Sequence, residues 1–157
     1  MTKRILAMLF AVIMTVSLSG CGGSEKTNEI TKLSFKAASG YDYLKTLDGT
    51  QVTISGYMAT SSPVDGSFMF LMNLPYQNCP FCVPNTSQLS NTMEVYSRKN
   101  EPFSYTNQAI RVIGTLKVAE SADKPFTDDY GYEFNYKIVD ASYTIIQAAE
   151  LSEEMAL

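Results

Sequence analysis

Two segments of this chain share one pattern, and that pattern restricts the fold more than any other feature. Val52-Thr53-Ile54-Ser55-Gly56 and Ile110-Arg111-Val112-Ile113-Gly114 each alternate apolar residues and then place a glycine. Alternation is the mark of a strand with one face in a core. In the first segment Val52, Ile54 and Met58 form one face, and Thr53, Ser55 and Tyr57 the other. Glycine inside such a strand marks a bulge or a sharp bend. Two strands bent in this way are what closing a small sheet requires.

Further strand signals surround this pair. Ser67-Phe68-Met69-Phe70-Leu71-Met72-Asn73 is a continuous apolar run, buried on both faces. Met93-Glu94-Val95-Tyr96 is a short third strand, and residues 109–118 form a fourth around Gly114. Residues 132–138 read as a fifth, with Tyr132, Phe134, Tyr136 and Ile138 facing inward. A sixth stretch at residues 143–146 continues it after a kink at Asp140-Ala141. The spacing of Tyr43, Leu44 and Leu47 predicts a short helix over residues 41–46, ended by the turn dipeptide Asp48-Gly49. Residues 148–157 suit a short helix or a frayed tail. The sum is a mainly β domain, a small five- or six-stranded antiparallel barrel, with a β-sandwich as the alternative. Across residues 50–147 the pattern resembles the OB-fold, whose first and fourth strands often carry such a glycine.

The amino-terminus sets a compartment. Lys3 and Arg4 precede twelve apolar or small residues, 5–16. That run is too short to span a bilayer, which takes about 20 residues, and it reads as a secretion signal over residues 1–20. It ends in Leu18-Ser19-Gly20-Cys21, which resembles the lipobox of bacterial lipoproteins. The resemblance implies cleavage before Cys21 and acylation of its thiol, palmitate being the usual chain. The protein would then be held, outside the cytoplasm, at the cell membrane or the outer membrane. Each buried methylene contributes about 0.8 kcal/mol, so two acyl chains hold where one would release. Residues 21–30, opening Gly22-Gly23-Ser24, form a flexible tether. Residues 31–147 make one β-rich domain.

Loss of residues 1–20 removes two cations and no acid. The mature charge becomes −6, from 10 Lys and Arg against 16 Asp and Glu. That balance argues against a nucleic-acid partner, whose phosphates require cations. Histidine is absent, which excludes His-based triads and His metal ligands. No Gly-x-Ser-x-Gly elbow or glycine-rich phosphate loop is present. No cofactor and no catalytic residue is implied.

With Cys21 committed to lipid, the remaining thiols are Cys79 and Cys82, in Asn78-Cys79-Pro80-Phe81-Cys82-Val83-Pro84. Three readings stand open. A disulfide would shape the loop and add only about 2 kcal/mol. A metal site would resemble half of a rubredoxin or zinc-ribbon knuckle, able to take zinc or another thiophilic ion. Such sites need four ligands, so acids or a partner must supply the rest. A thiol–disulfide active site would resemble the thioredoxin motif, but no βαβ context surrounds it. The run from Leu71 through Pro75-Tyr76 to Cys82-Val83-Pro84-Asn85 also resembles a group of uncharacterised exported bacterial proteins. Cys82 stands near the position where that group has histidine.

Two further constellations invite plainer readings. Asp123, Asp128, Asp129 and Glu133 lack calcium-loop spacing and read as a solvated acidic turn, and Glu94 reads as exposed on the outer face of its strand. Tyr57, Tyr96, Tyr105, Tyr130 and Tyr132 could build a ligand platform, although aromatics in small β domains more often pair across strands. The sequence therefore points to an anchored, non-catalytic binding or envelope module with an unidentified protein or small-molecule partner. Metal-binding and redox roles for Cys79 and Cys82 are the alternatives.

Overall fold

The computed structural model describes residues 30–36, 40–75, 91–129 and 131–155. Its strands are β1 (Thr31–Lys32), β2 (Gln51–Met58), β3 (Phe68–Met72), β4 (Thr92–Ser97), β5 (Ala109–Val118), β6 (Phe126–Thr127), β7 (Glu133–Phe134) and β8 (Tyr136–Ile145). Its helices are α1 (Tyr41–Thr46) and α2 (Ala148–Met155).

Five strands close a barrel in the order β2-β3-β4-β8-β5, and β5 pairs back onto β2. That order fits an OB-like barrel. The expectation of a wholly antiparallel barrel needs correction, because β4 and β8 run parallel, with Val95 opposite Ile138. Closure requires this: a ring of five strands cannot alternate direction throughout, and the other four pairings, β2–β3, β3–β4, β2–β5 and β5–β8, are antiparallel.

The alternation in β2 resolves as read. Val52, Ile54 and Met58 point into the barrel with Met69, Leu71, Met93, Val95, Ile110, Val112, Leu116 and Ile138. Both strand glycines sit at close approaches. A Cβ on Gly56 would lie 2.3 Å from the Met72 carbonyl oxygen, and one on Gly114 would lie 2.5 Å from Ile138 Cγ2. Real Cβ atoms do not approach so closely, so each glycine lets one strand fold over another.

The fifth strand departs from expectation. Glu133 and Phe134 pair with Phe126 and Thr127 in a separate two-stranded hairpin, β6–β7. β8 begins only at Tyr136 and runs unbroken through the position where the sequence suggests a kink. Asp140 takes a left-handed conformation there, φ 54°. The register on β5 jumps from Ile113–Ser142 to Thr115–Val139, so β8 carries a bulge opposite Gly114. Phe134 and Tyr132 consequently leave the barrel core and join a second apolar cluster outside it.

One end of the barrel is closed by α1. Leu44 is fully buried in the core. Tyr41 Oη and Lys45 Nζ donate to the Ala119 carbonyl at 2.9 and 2.8 Å. Helix α2 lies outside the barrel, with Leu151 packed on Ala109, Ile146 and Tyr57.

Candidate functional site

Two places in the fold concentrate polar chemistry. The first is a gap in the barrel wall. Only Tyr57 and Met58 of β2 pair with β3. The first half of β2 pairs instead with β1, through Thr31–Val52 and Lys32–Thr53. The chain then passes Leu33, whose N–H donates to the Thr53 carbonyl at 2.8 Å. Between residues 33–36 and the end of β3 lies a cavity of about 370 Å³. Leu33 and Phe35 give it an apolar wall, and Ser55, Asn73, Asn91 and Glu154 a polar one. Asn73 Oδ1 is buried and, among the described residues, makes no hydrogen bond.

Glu154 is fixed in this wall by its neighbours. Ser55 Oγ donates to its Oε2. Arg111 donates to its Oε1 from Nε at 3.1 Å and Nη2 at 2.5 Å, and Lys32 Nζ lies 3.6 Å away. Burial pushes this carboxyl up, but the bonds from Ser55 and Arg111 and the nearby cations outweigh it and hold the group below its usual range. Glu150, one turn earlier on α2, takes a further bond from Arg111 at 3.1 Å.

The cavity adjoins the root of the β3–β4 connection. The Asn73 N–H donates to the Asn91 carbonyl at 3.2 Å, so the two ends of that connection meet at the cavity wall. Cys79 and Cys82 belong to this connection, and both lie outside the described residues, as do Cys21 and Tyr130. Among the described residues, no group of three acidic or cysteine side chains is placed to hold a metal ion. No described helix is long and apolar enough to cross a membrane.

The second place is the outer face of β3 and β4. Phe68, Phe70 and Met72 point outward here, and the hairpin β6–β7 covers them with Phe134 and Tyr132. The Phe134 ring stacks on Phe70 with centroids 6.3 Å apart, and Tyr96 stacks on Phe68 at 5.2 Å. Beneath this cover lies Glu94, 1% exposed. Its reading as a solvent-exposed side chain is thus overturned, because the hairpin turns the outer face of β4 into an interior.

The surroundings of Glu94 are sparse in donors. Tyr96 Oη donates to its Oε2 at 3.0 Å, while Oε1 is buried and, among the described residues, accepts no hydrogen bond. Burial, together with the facing Asp128 carboxylate, pushes the Glu94 carboxyl up to about 7, against the Tyr96 bond and the Lys137 charge. The same burial and negative field raise the Tyr96 phenol. Lys137, opposite Glu94 across β4–β8, rests its Nζ 4.8 Å from the Tyr96 ring centroid and 4.5 Å from that of Phe126. Asp128 is not a simple solvated acid either: its Oδ1 accepts the Tyr132 N–H at 2.8 Å, closing the hairpin turn.

No protein-family profile matches this chain, and no curated protein is similar to it. Among solved structures, it is similar to a DUF3299 family protein from Pseudomonas aeruginosa PAO1. The identity is 18%, the TM-score 0.48, and the match covers 75% of this chain and 97% of that one.

Proposed function

We propose that this protein is a lipid-anchored, extracytoplasmic binding module, non-catalytic, whose ligand seats in the cavity between residues 33–36 and the end of β3. The observation that carries this reading is the gap in the barrel wall. A closed barrel of this size fills its interior with side chains. The core here is filled too, and the cavity of about 370 Å³ lies at the barrel wall where β3 pairs with only two residues of β2, within the range of small-molecule sites. Its lining mixes an apolar wall with a few fixed polar groups, as small-molecule sites do. The absence of histidine removes the usual base of a nucleophilic site and speaks for binding rather than turnover.

The anchor rests on Leu18-Ser19-Gly20-Cys21. Cells fed labelled palmitate should label the wild-type chain and not Cys21→Ala, which should leave the membrane fraction. The cavity is tested on the mature chain by amide NMR with free amino acids, short peptides and small sugars as probes. Shifts gathered at Ser34, Ser55, Asn73 and Asn91 support the reading; shifts that scatter or never saturate count against it.

A second reading is favoured by the Asn73–Asn91 bond, which roots the Cys79 and Cys82 connection beside the cavity. The two thiolates would hold zinc or another thiophilic ion. Metal analysis of the reduced protein, against the Cys79→Ser and Cys82→Ser double variant, separates this from a disulfide or redox pair.

A further inference from the structure

The outer face of β3 and β4 corresponds to the surface on which OB-like barrels commonly take ligands. In this chain its own hairpin covers that surface. Strands β6 and β7 pair with each other and, among the described residues, with no barrel strand. The cover is held instead by Phe134 on Phe70, by Lys137 between Tyr96 and Phe126, and by the Ala119 N–H bond of 2.8 Å to the Asn135 carbonyl at its base. A short hairpin that pairs with no barrel strand is marginally stable and moves as a unit.

Under this cover lies Glu94, whose Oε1 is buried and, among the described residues, accepts no hydrogen bond. The groups facing it are Tyr96 on its own strand, Asp128 from the hairpin turn and Lys137 from β8; Asp129 adds to the negative field at Tyr96, and β3 presents the apolar Phe70. A protonated Glu94 is neutral and tolerates the dry site beside Asp128. An ionised Glu94 sets two carboxylates against each other with one lysine to offset them, and hydration then favours opening.

We propose that the β6–β7 hairpin is a proton-controlled strap: it lies closed over the β3–β4 face when Glu94 is protonated, and ionisation of Glu94 against Asp128 releases it and bares the aromatic face beneath. Burial and the Asp128 charge place the Glu94 transition at about 7, within reach of ordinary changes in pH.

The test uses the mature protein and two readouts between pH 5 and 8.5. Hydrogen exchange at Ala119, Asp128 and Tyr132, corrected for the intrinsic pH dependence, follows opening of the strap. Binding of the neutral dye Nile red follows exposure of the aromatic face. Wild type should show opening that rises at least about tenfold over this range, with a midpoint matching the Glu94 carboxyl carbon shift by NMR. Glu94→Gln should hold the strap closed at every pH, and Asp128→Asn should move the midpoint down. If Glu94→Gln does not fold, the Asp128→Asn midpoint decides alone. A strap whose protection stays constant while Glu94 titrates, or a Glu94→Gln protein that opens as wild type does, overturns the proposal.

Discussion

The Tyr96 hydroxyl donates to Glu94 Oε2 at 3.0 Å, two residues along the same outward face of β4. This bond favours the ionised carboxylate, whereas the side-chain contact with Asp128 favours the protonated one. Tyr96→Phe removes it while leaving the ring on Phe68. The variant should lose about 1–2 kcal/mol at pH 8, where the acceptor is charged, and less at pH 5.5. Urea titrations at the two pH values check this, and an equal loss at both would contradict it. The Glu94 transition should also move further up.

Stability of the whole domain should fall with rising pH through neutrality. Glu94 is raised in the folded state from 4.5 to about 7, so the folded protein holds a proton that the unfolded chain has already released. Its contribution is therefore fully present below about pH 4.5, declines up to about pH 7 and levels off above that. The full span is roughly 3 kcal/mol by linkage. Glu94→Gln should flatten the curve and exceed wild type above pH 7 in thermal unfolding. A wild-type curve that rises from pH 5 to 8 would contradict this assignment.

Glu154 behaves in the opposite sense. Its folded value is depressed, so its stabilising effect is present above the ordinary glutamate range and is lost as pH falls through the depressed value. Its side chain is 14% exposed, and it gathers Ser55, Arg111 and Lys32. Glu154→Gln should loosen α2 at pH 7, seen as faster proteolysis or exchange at residues 148–155, and should have little effect at pH 3. Arg111→Ala strands Glu154 in the wall without its main partner and should cost more, about 2 kcal/mol.

The strand glycines should tolerate nothing larger. In Gly56→Ala the new methyl would meet the Met72 carbonyl, and in Gly114→Ala it would meet Ile138 Cγ2 and, at 2.9 Å, the Val139 carbonyl oxygen. Backbone cannot yield as a flexible side chain can, so each change should cost about 2 kcal/mol or more by chemical denaturation. Of the two, Gly56→Ala should also alter the cavity, because Ser55 and the end of β3 form its wall.

The barrel was legible because its determinants are local. Alternation in β2 and a glycine in each of β2 and β5 speak for themselves within ten residues, and their faces fall where periodicity puts them. The hairpin was not legible, because Tyr132, Phe134 and Tyr136 alternate as one strand would. The two strands part at the single residue Asn135, between β7 and β8, and such a break leaves no pattern in apolar spacing. Glu94 failed for the same reason at a distance. An outward residue is exposed unless something covers it, and the cover comes from β6 and β7. One signal did exist: the unbroken apolar run of β3 demands a second apolar partner on its outer face, and β4 shares that face. Nothing local distinguished the cavity, which arises because β1 takes the edge of β2 that β3 leaves free.

The parallel pairing of β4 with β8 also sets the order of assembly. A chain that emerges amino-terminus first can lay down β2, β3 and β4 as a meander, but the free edges of β2 and β4 wait for β5 and β8. Ser97 finds its partner only at Ala141, far downstream. Contacts of such long sequence separation form slowly. Until residues 136–145 arrive, the apolar β3 lies between two unpaired edges, the state most open to association with other chains. The last strand to be made is therefore the one that seals the sheet against its neighbours.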